Sequence, residues 1–107
     1  MKCFRINLNE VLKVVLLGKE TLIPPRLHYS RYVTEYVLYV IVKGSLKLNV
    51  NNDTVVLKSG DVYLFQKGDS QEPLESSFCE YFYVHFHSDS VCEMELEAAE
   101  YTELLRK

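Results

Sequence analysis

Residues 36–71 read YVLYVIVKGSLKLNVNNDTVVLKSGDVYLFQKGDSQ. Apolar side chains run almost unbroken from Tyr36 to Val42, where Lys43-Gly44 interrupts them. Leu46, Leu48 and Val50 then alternate with Lys47 and Asn49, the period of a strand with one buried face. Asn51-Asn52-Asp53 is a turn, because Asn and Asp tolerate left-handed backbone angles. Thr54 to Leu57 is β-branched and apolar again. Ser59-Gly60-Asp61 and Lys67-Gly68-Asp69 bracket a further short strand, Val62 to Phe65. Short strands at close spacing, each bounded by turn residues, specify a β-sandwich or barrel.

The totals agree with one all-β domain. The chain has 107 residues, enough for a single core. Eight tyrosines and five phenylalanines with no tryptophan favour strands. A net charge of −3, with lysines and arginines scattered, argues against a surface that grips a phosphate backbone. No apolar run reaches the roughly 18 residues of a membrane span. Val11 to Leu17 is broken by Lys13 and lacks a small-residue cleavage site, so a cytoplasmic protein is expected. Cys3, Cys79 and Cys92 are odd in number and widely spaced, which suits three reduced thiols better than a disulfide framework or zinc.

Working outward, Phe4, Ile6 and Leu8 alternate with Arg5 and Asn7 as a strand would. The β-branched Val11, Val14 and Val15 favour a strand through Leu17 with Gly18 as a turn, although a short amphipathic helix fits the pattern nearly as well. Ile23-Pro24-Pro25 ends any regular element, since neither proline donates a ladder bond. Arg26 to Val33 reads as a strand rich in Tyr, His and Arg. Gln71 to Ser77 is a polar connection. Phe78 to His87 alternates strictly: Tyr81, Tyr83, His85 and His87 share one face, and Phe82, Val84 and Phe86 the other. Periodicity alone does not say which face is inside. From Ser90, a capping box to Glu93 and an apolar stripe of Val91, Met94, Ala98, Tyr101 and Leu105 predict a helix over 89–107. Its glutamates lead and Arg106-Lys107 closes it, as the helix dipole prefers.

The ordered words carry a resemblance. Gly44, fifteen residues and then Gly60-Asp61 match the first sequence block of the cupin barrels. An arginine at Arg31, then YVLYVIVKGSL, GDVYLF and YFYVHF resemble the N-terminal sensor domain of the AraC-type transcriptional regulators, over roughly residues 26–87. The resemblance implies an all-β, cupin-like double-stranded β-helix (jelly-roll) barrel with a C-terminal α-helix. Residues 1–23 would form an N-terminal arm or strand, 24–88 the barrel and 89–107 the helix. In sugar-sensing members the arm folds over the ligand, a role open to residues 1–8.

The same resemblance implies a small polar ligand, expected to be a carbohydrate. Arg31, Gln71, Tyr81, Tyr83 and His85 are the candidate ligand-binding residues. The fixed fork of Arg31 suits paired hydroxyl oxygens, and an aromatic face with polar tips can stack on a sugar ring. An ion pair between Arg31 and Glu35, or a surface position for Arg31, is the plainer alternative. In the family, helices after the barrel pair into a homodimer, which would use Val91, Met94, Ala98, Tyr101 and Leu105; packing on the chain's own barrel is the alternative. DNA contact would belong to a helix-turn-helix region that these residues do not contain. The expectation is therefore either a sensor excised from a larger regulator or a stand-alone one, making no nucleic-acid contact itself.

Catalytic chemistry is not expected. The cupin metal positions fall on Val50, Asn52, Thr54 to Val56 and Gln71, none of them a strong ligand, and His85-x-His87 lacks a third. No Gly-x-Ser-x-Gly elbow or phosphate-binding loop is present. Asp61 and Asp69 follow glycines in turns, where aspartate accepts backbone bonds. The reading is a ligand sensor without metal, cofactor or catalytic residues. Its rivals are a metal-free sugar-binding protein or sugar isomerase/epimerase, with His85 and a tyrosine as the acid-base pair, and a filled structural module.

Overall fold

The computed structural model describes residues 2–5, 13–88 and 91–95. It forms two compact units, one of Met1–Leu12 with Ser88–Lys107, the other of Lys13–His87. In the first, β1 (Lys2–Arg5) and β9 (Cys92–Glu95) pair antiparallel, with Lys2 opposite Glu95 and Arg5 opposite Cys92. This corrects the expected helix at its start: Cys92–Glu95 is a strand. Cys-Glu-Met-Glu also alternates apolar and acidic residues, and the backbone bonds to β1 select that period over the helical one. Ala98, Tyr101, Leu105 and the rest of the expected helix lie outside the described residues.

The second unit is one seven-stranded antiparallel sheet. It contains β2 (Lys13–Leu22), β3 (Arg31–Tyr32), β4 (Tyr36–Val50), β5 (Asp53–Lys58), β6 (Val62–Phe65), β7 (Ser70–Pro73) and β8 (Cys79–His87). The fifteen-residue β4 is its axis. The first part of β4, to Gly44, pairs with β8 and β6, and Ser45 to Val50 pairs with β5 and β7. One strand thus carries two halves of the sheet, which curls about it.

The inward positions of β4 change parity where the halves meet. Val37, Tyr39 and Ile41 are buried, then Leu46, Leu48 and Val50. The ladder to β8 slips between Ile41 and Lys43, and this irregularity lets both apolar rows face the core. Gly44 follows it at φ 75°, where any Cβ would run into the Phe78 carbonyl. Asn51 and Asn52 both adopt positive φ and close a two-residue hairpin between Val50 and Asp53. Asp61 accepts from the Lys58 backbone N–H at 2.7 Å, and Asp69 from that of Gln66 at 2.8 Å, as expected of turn aspartates.

β2, from the part of the chain expected to be an arm or a strand, is an edge strand of the sheet paired along its length with β8. Two local readings change. Gly18 is no turn. It lies mid-strand opposite Tyr83, and an added Cβ would stand 2.5 Å from the Tyr83 hydroxyl, so the bare backbone accommodates that ring. Gly18→Ala is expected to displace Tyr83 and cost about 1–3 kcal/mol, read by tyrosine fluorescence in urea; a second change, Tyr83→Leu, should recover most of it. Finally, the strand expected over Arg26 to Val33 is only the two residues of β3. Arg26 N–H closes a turn onto Ile23 O at 3.0 Å, and β3 has only the short β7 to pair with.

Candidate functional site

Across the sheet, Arg31 stands opposite Gln71, and Gln71 opposite Val50. Residues paired in this way share a face, and Val50 is in the core, so Arg31 and Gln71 face inward. Gln71 is fully buried and Arg31 half-buried. The Nε of Arg31 donates to Gln71 Oε1 at 2.9 Å. Arginine has donors only, so the amide must turn its oxygen toward it and its NH2 away. Arg31 Nη2 and Gln71 Nε2 are consequently buried and without a partner. A third orphan, Asn49 Oδ1, is carried by the residue next to Val50, whose side chain lies on the other face.

The Arg31 guanidinium lies over the Tyr29 ring, 5.2 Å from its centroid, and Tyr29 stacks on His28 at 4.5 Å. His28 is buried, with Nδ1 2.7 Å from Tyr29 O and Nε2 2.8 Å from the Tyr39 hydroxyl. The carbonyl only accepts, so Nδ1 carries the proton and Nε2 takes that of Tyr39. Burial, opposed by the bond to Tyr29 O and aided by the Arg31 charge, brings the His28 pKa down to about 4. Tyr39 and Tyr81 pack at 4.5 Å, and burial raises both phenols well above the ordinary range.

Farther along the same face, Tyr83 lies 6.4 Å from Tyr81 and 5.7 Å from His85. His85 Nδ1 is 2.9 Å from Glu35 Oε1, and the exposed His87 reaches the other carboxylate oxygen at 3.5 Å. The alternative pairing of Glu35 with Arg31 therefore does not form. On the opposite face, Phe82 is exposed, and Phe86 is buried against Tyr36 at 5.6 Å. The tyrosine face is the inner one, and the phenylalanines do not fill the interior.

Residues 24–101 match the family model of the AraC-like ligand binding domain. The chain belongs to that family. No curated protein matches it by sequence. Its fold is similar to that of an RmlC-like cupin with a double-stranded β-helix from Methanocaldococcus jannaschii, at 16% identity over 78% of this chain and 87% of that one, TM-score 0.57. It is also similar to a putative ethanolamine utilization protein Q from Salmonella typhimurium, at 17% identity over 73% and 69%, TM-score 0.53. The EutQ protein of Clostridium difficile follows at 16% identity over 68% and 69%, TM-score 0.51.

In this AraC-like domain the five expected ligand-binding residues all face inward, and the fold divides them. Arg31 and Gln71 are bonded, and Tyr81 joins them through Tyr29, His28 and Tyr39. Tyr83 and His85 form the other end of the face. Gln71 is held by Arg31. Among the described residues, no three His, Cys, Asp or Glu side chains are disposed to hold a metal ion, and no helix is long and apolar enough to cross a membrane. Cys79 is a buried free thiol, its pKa pushed up to about 11 by burial. Pattern reading missed His28, Tyr29 and Tyr39. The one trace of His28 and Tyr29 is the run LHYSRY over 27–32, where polar aromatic residues crowd together.

Proposed function

We propose that this domain is the ligand-sensing and dimerising part of an AraC-type transcriptional regulator, and that a small polar ligand, a sugar or sugar derivative, binds its inner face. The observation that carries the reading is the Arg31–Gln71 pair. Each residue of the pair keeps a buried donor without an acceptor, and such groups are costly unless something completes them. Tyr29 supplies aromatic surface beside them. The ligand's differential affinity for two arrangements of the dimer would bias a cytoplasmic regulator between states. Dimerisation would use the segment after β8, and DNA contact would fall to a separate helix-turn-helix region. The domain itself is not an enzyme on this reading.

A thermal-shift panel of pentoses, hexoses and sugar acids tests it. At a hundredfold excess over Kd, a ligand of the native state adds about 2.7 kcal/mol. In a domain this small that raises Tm by on the order of 10 °C. Arg31→Ala should abolish the response. A panel with no active member would overturn the reading. A second reading, a metal-free isomerase or epimerase, has the Glu35–His85 pair in its favour, since a hydrogen-bonded carboxylate and imidazole can move a proton. Solvent deuterium incorporation into the panel sugars, absent on the sensor reading and lost in His85→Asn on the enzyme reading, separates the two.

A further inference from the structure

The two unpartnered groups at Arg31 and Gln71 are of one kind. Both are donors, and they belong to side chains already hydrogen-bonded to each other, so they form one contiguous patch. Among the described residues no carboxylate pairs with Arg31: Glu35 is taken by His85 and His87, Glu20 by Arg26 and Glu80 by Lys19. Its charge rests on a tyrosine face and an amide oxygen. His28 beside it is neutral, for the reasons given above, and adds no acceptor, because both of its nitrogens are engaged.

A neutral hydroxyl would answer this patch badly. It brings a proton of its own that needs an acceptor, and the Gln71 oxygen already accepts from Arg31. A carboxylate brings only acceptors, two oxygens for two donors, and the missing counter-charge. A phosphate ester would bring a third oxygen and a second charge for which the patch has no further orphan. We infer that the ligand carries a carboxylate, as a uronic or aldonic acid does, and that this carboxylate is bound jointly by Arg31 Nη2 and Gln71 Nε2. The inference rests on the proposed ligand-sensing role and specifies the chemistry of that same site.

The test has one arm that needs no ligand. Gln71→Glu places a carboxylate against Arg31 from within. With Arg31 present it should raise Tm; in an Arg31→Gln background the same change should lower it, because the buried charge then has no partner. A lowered Tm in both backgrounds overturns the inference, since Arg31 then has no use for an anion at that place. The second arm measures binding to the whole domain by calorimetry, using D-glucuronate and D-galacturonate against D-glucose, D-galactose, the uronate methyl esters, glucose 6-phosphate and hexanoate. A uronate should bind, and its methyl ester should bind at least about tenfold more weakly, the loss of one charge-assisted bond. Gln71→Glu should abolish uronate binding.

Neutral sugars binding as tightly as uronates, or the phosphate ester binding more tightly, would overturn the inference and leave the sensor reading in place. Hexanoate binding as tightly as the uronates would uphold the carboxylate and remove the sugar. A failure of every compound, together with a destabilising Gln71→Glu, would remove both.

Discussion

Gly44→Ala should cost about 3–5 kcal/mol, among the largest losses a single methyl group produces. A side chain there is strained twice. Its φ of 75° is a left-handed angle that an L-residue adopts at roughly 1–2 kcal/mol. Its Cβ would also stand 1.9 Å from the Phe78 carbonyl oxygen and 2.8 Å from the carbon. Those are backbone atoms, and they cannot back away freely, because the same oxygen accepts from Ser45 N–H at 3.0 Å and Gly44 O accepts from Ser59 N–H at 3.1 Å. Relief therefore breaks the ladder where β4 passes from one half of the sheet to the other. For a domain with a total stability of about 5–15 kcal/mol, the urea midpoint should fall by about a fifth or more. A change below about 1 kcal/mol would show that the crossing of β4 is not built as described. Gly18→Ala makes the control, since there the obstacle is the far end of a side chain.

Gly44 also marks where pattern reading stopped. The turns were legible because Asn51, Asn52, Asp61 and Asp69 have few other ways to satisfy a backbone, and the alternation of Leu46, Leu48 and Val50 named its own buried face. The run Tyr36 to Val42 named none, since both faces are apolar. Only the slip at Ile41–Lys43 shows that the inward parity changes along β4. Arg31 and Gln71 were reached through the family's words, and their bond, between residues forty apart in the chain, is invisible to any local period. The bond from Tyr39 to His28 is equally non-local. Cys92–Glu95 satisfies a period of two and nearly satisfies one of 3.6, and pairing with β1 decides between them.

His28 gives the second large effect, and its sign follows from the direction of its shift. Folding lowers its pKa from 6.5 to about 4. Between those values the unfolded chain takes up a proton that the folded one refuses, so stability is lost as pH falls from about 6.5 toward 4. The loss reaches at most about 1.4 kcal/mol per pH unit, roughly 3 kcal/mol in all, and levels off below 4, where both states are protonated. The geometry explains the refusal. A proton on Nε2 would meet the proton that Tyr39 donates, beside the Arg31 charge, in a site closed to water. Tyr39 would have to turn its hydroxyl away from His28. Carboxylates also titrate in this range, so the informative quantity is a difference. His28→Gln keeps a donor for Tyr29 O and an acceptor for Tyr39 but cannot ionise. Urea midpoints at pH 7.5, 6.5, 5.5 and 4.5 should fall more steeply for the wild type than for this variant, so that the wild type loses ground to the variant as pH drops. Parallel curves would mean that His28 is free to protonate in place, and the chain of bonds from Tyr29 through His28 to Tyr39 would then not be the fixed wall beside Arg31 described above.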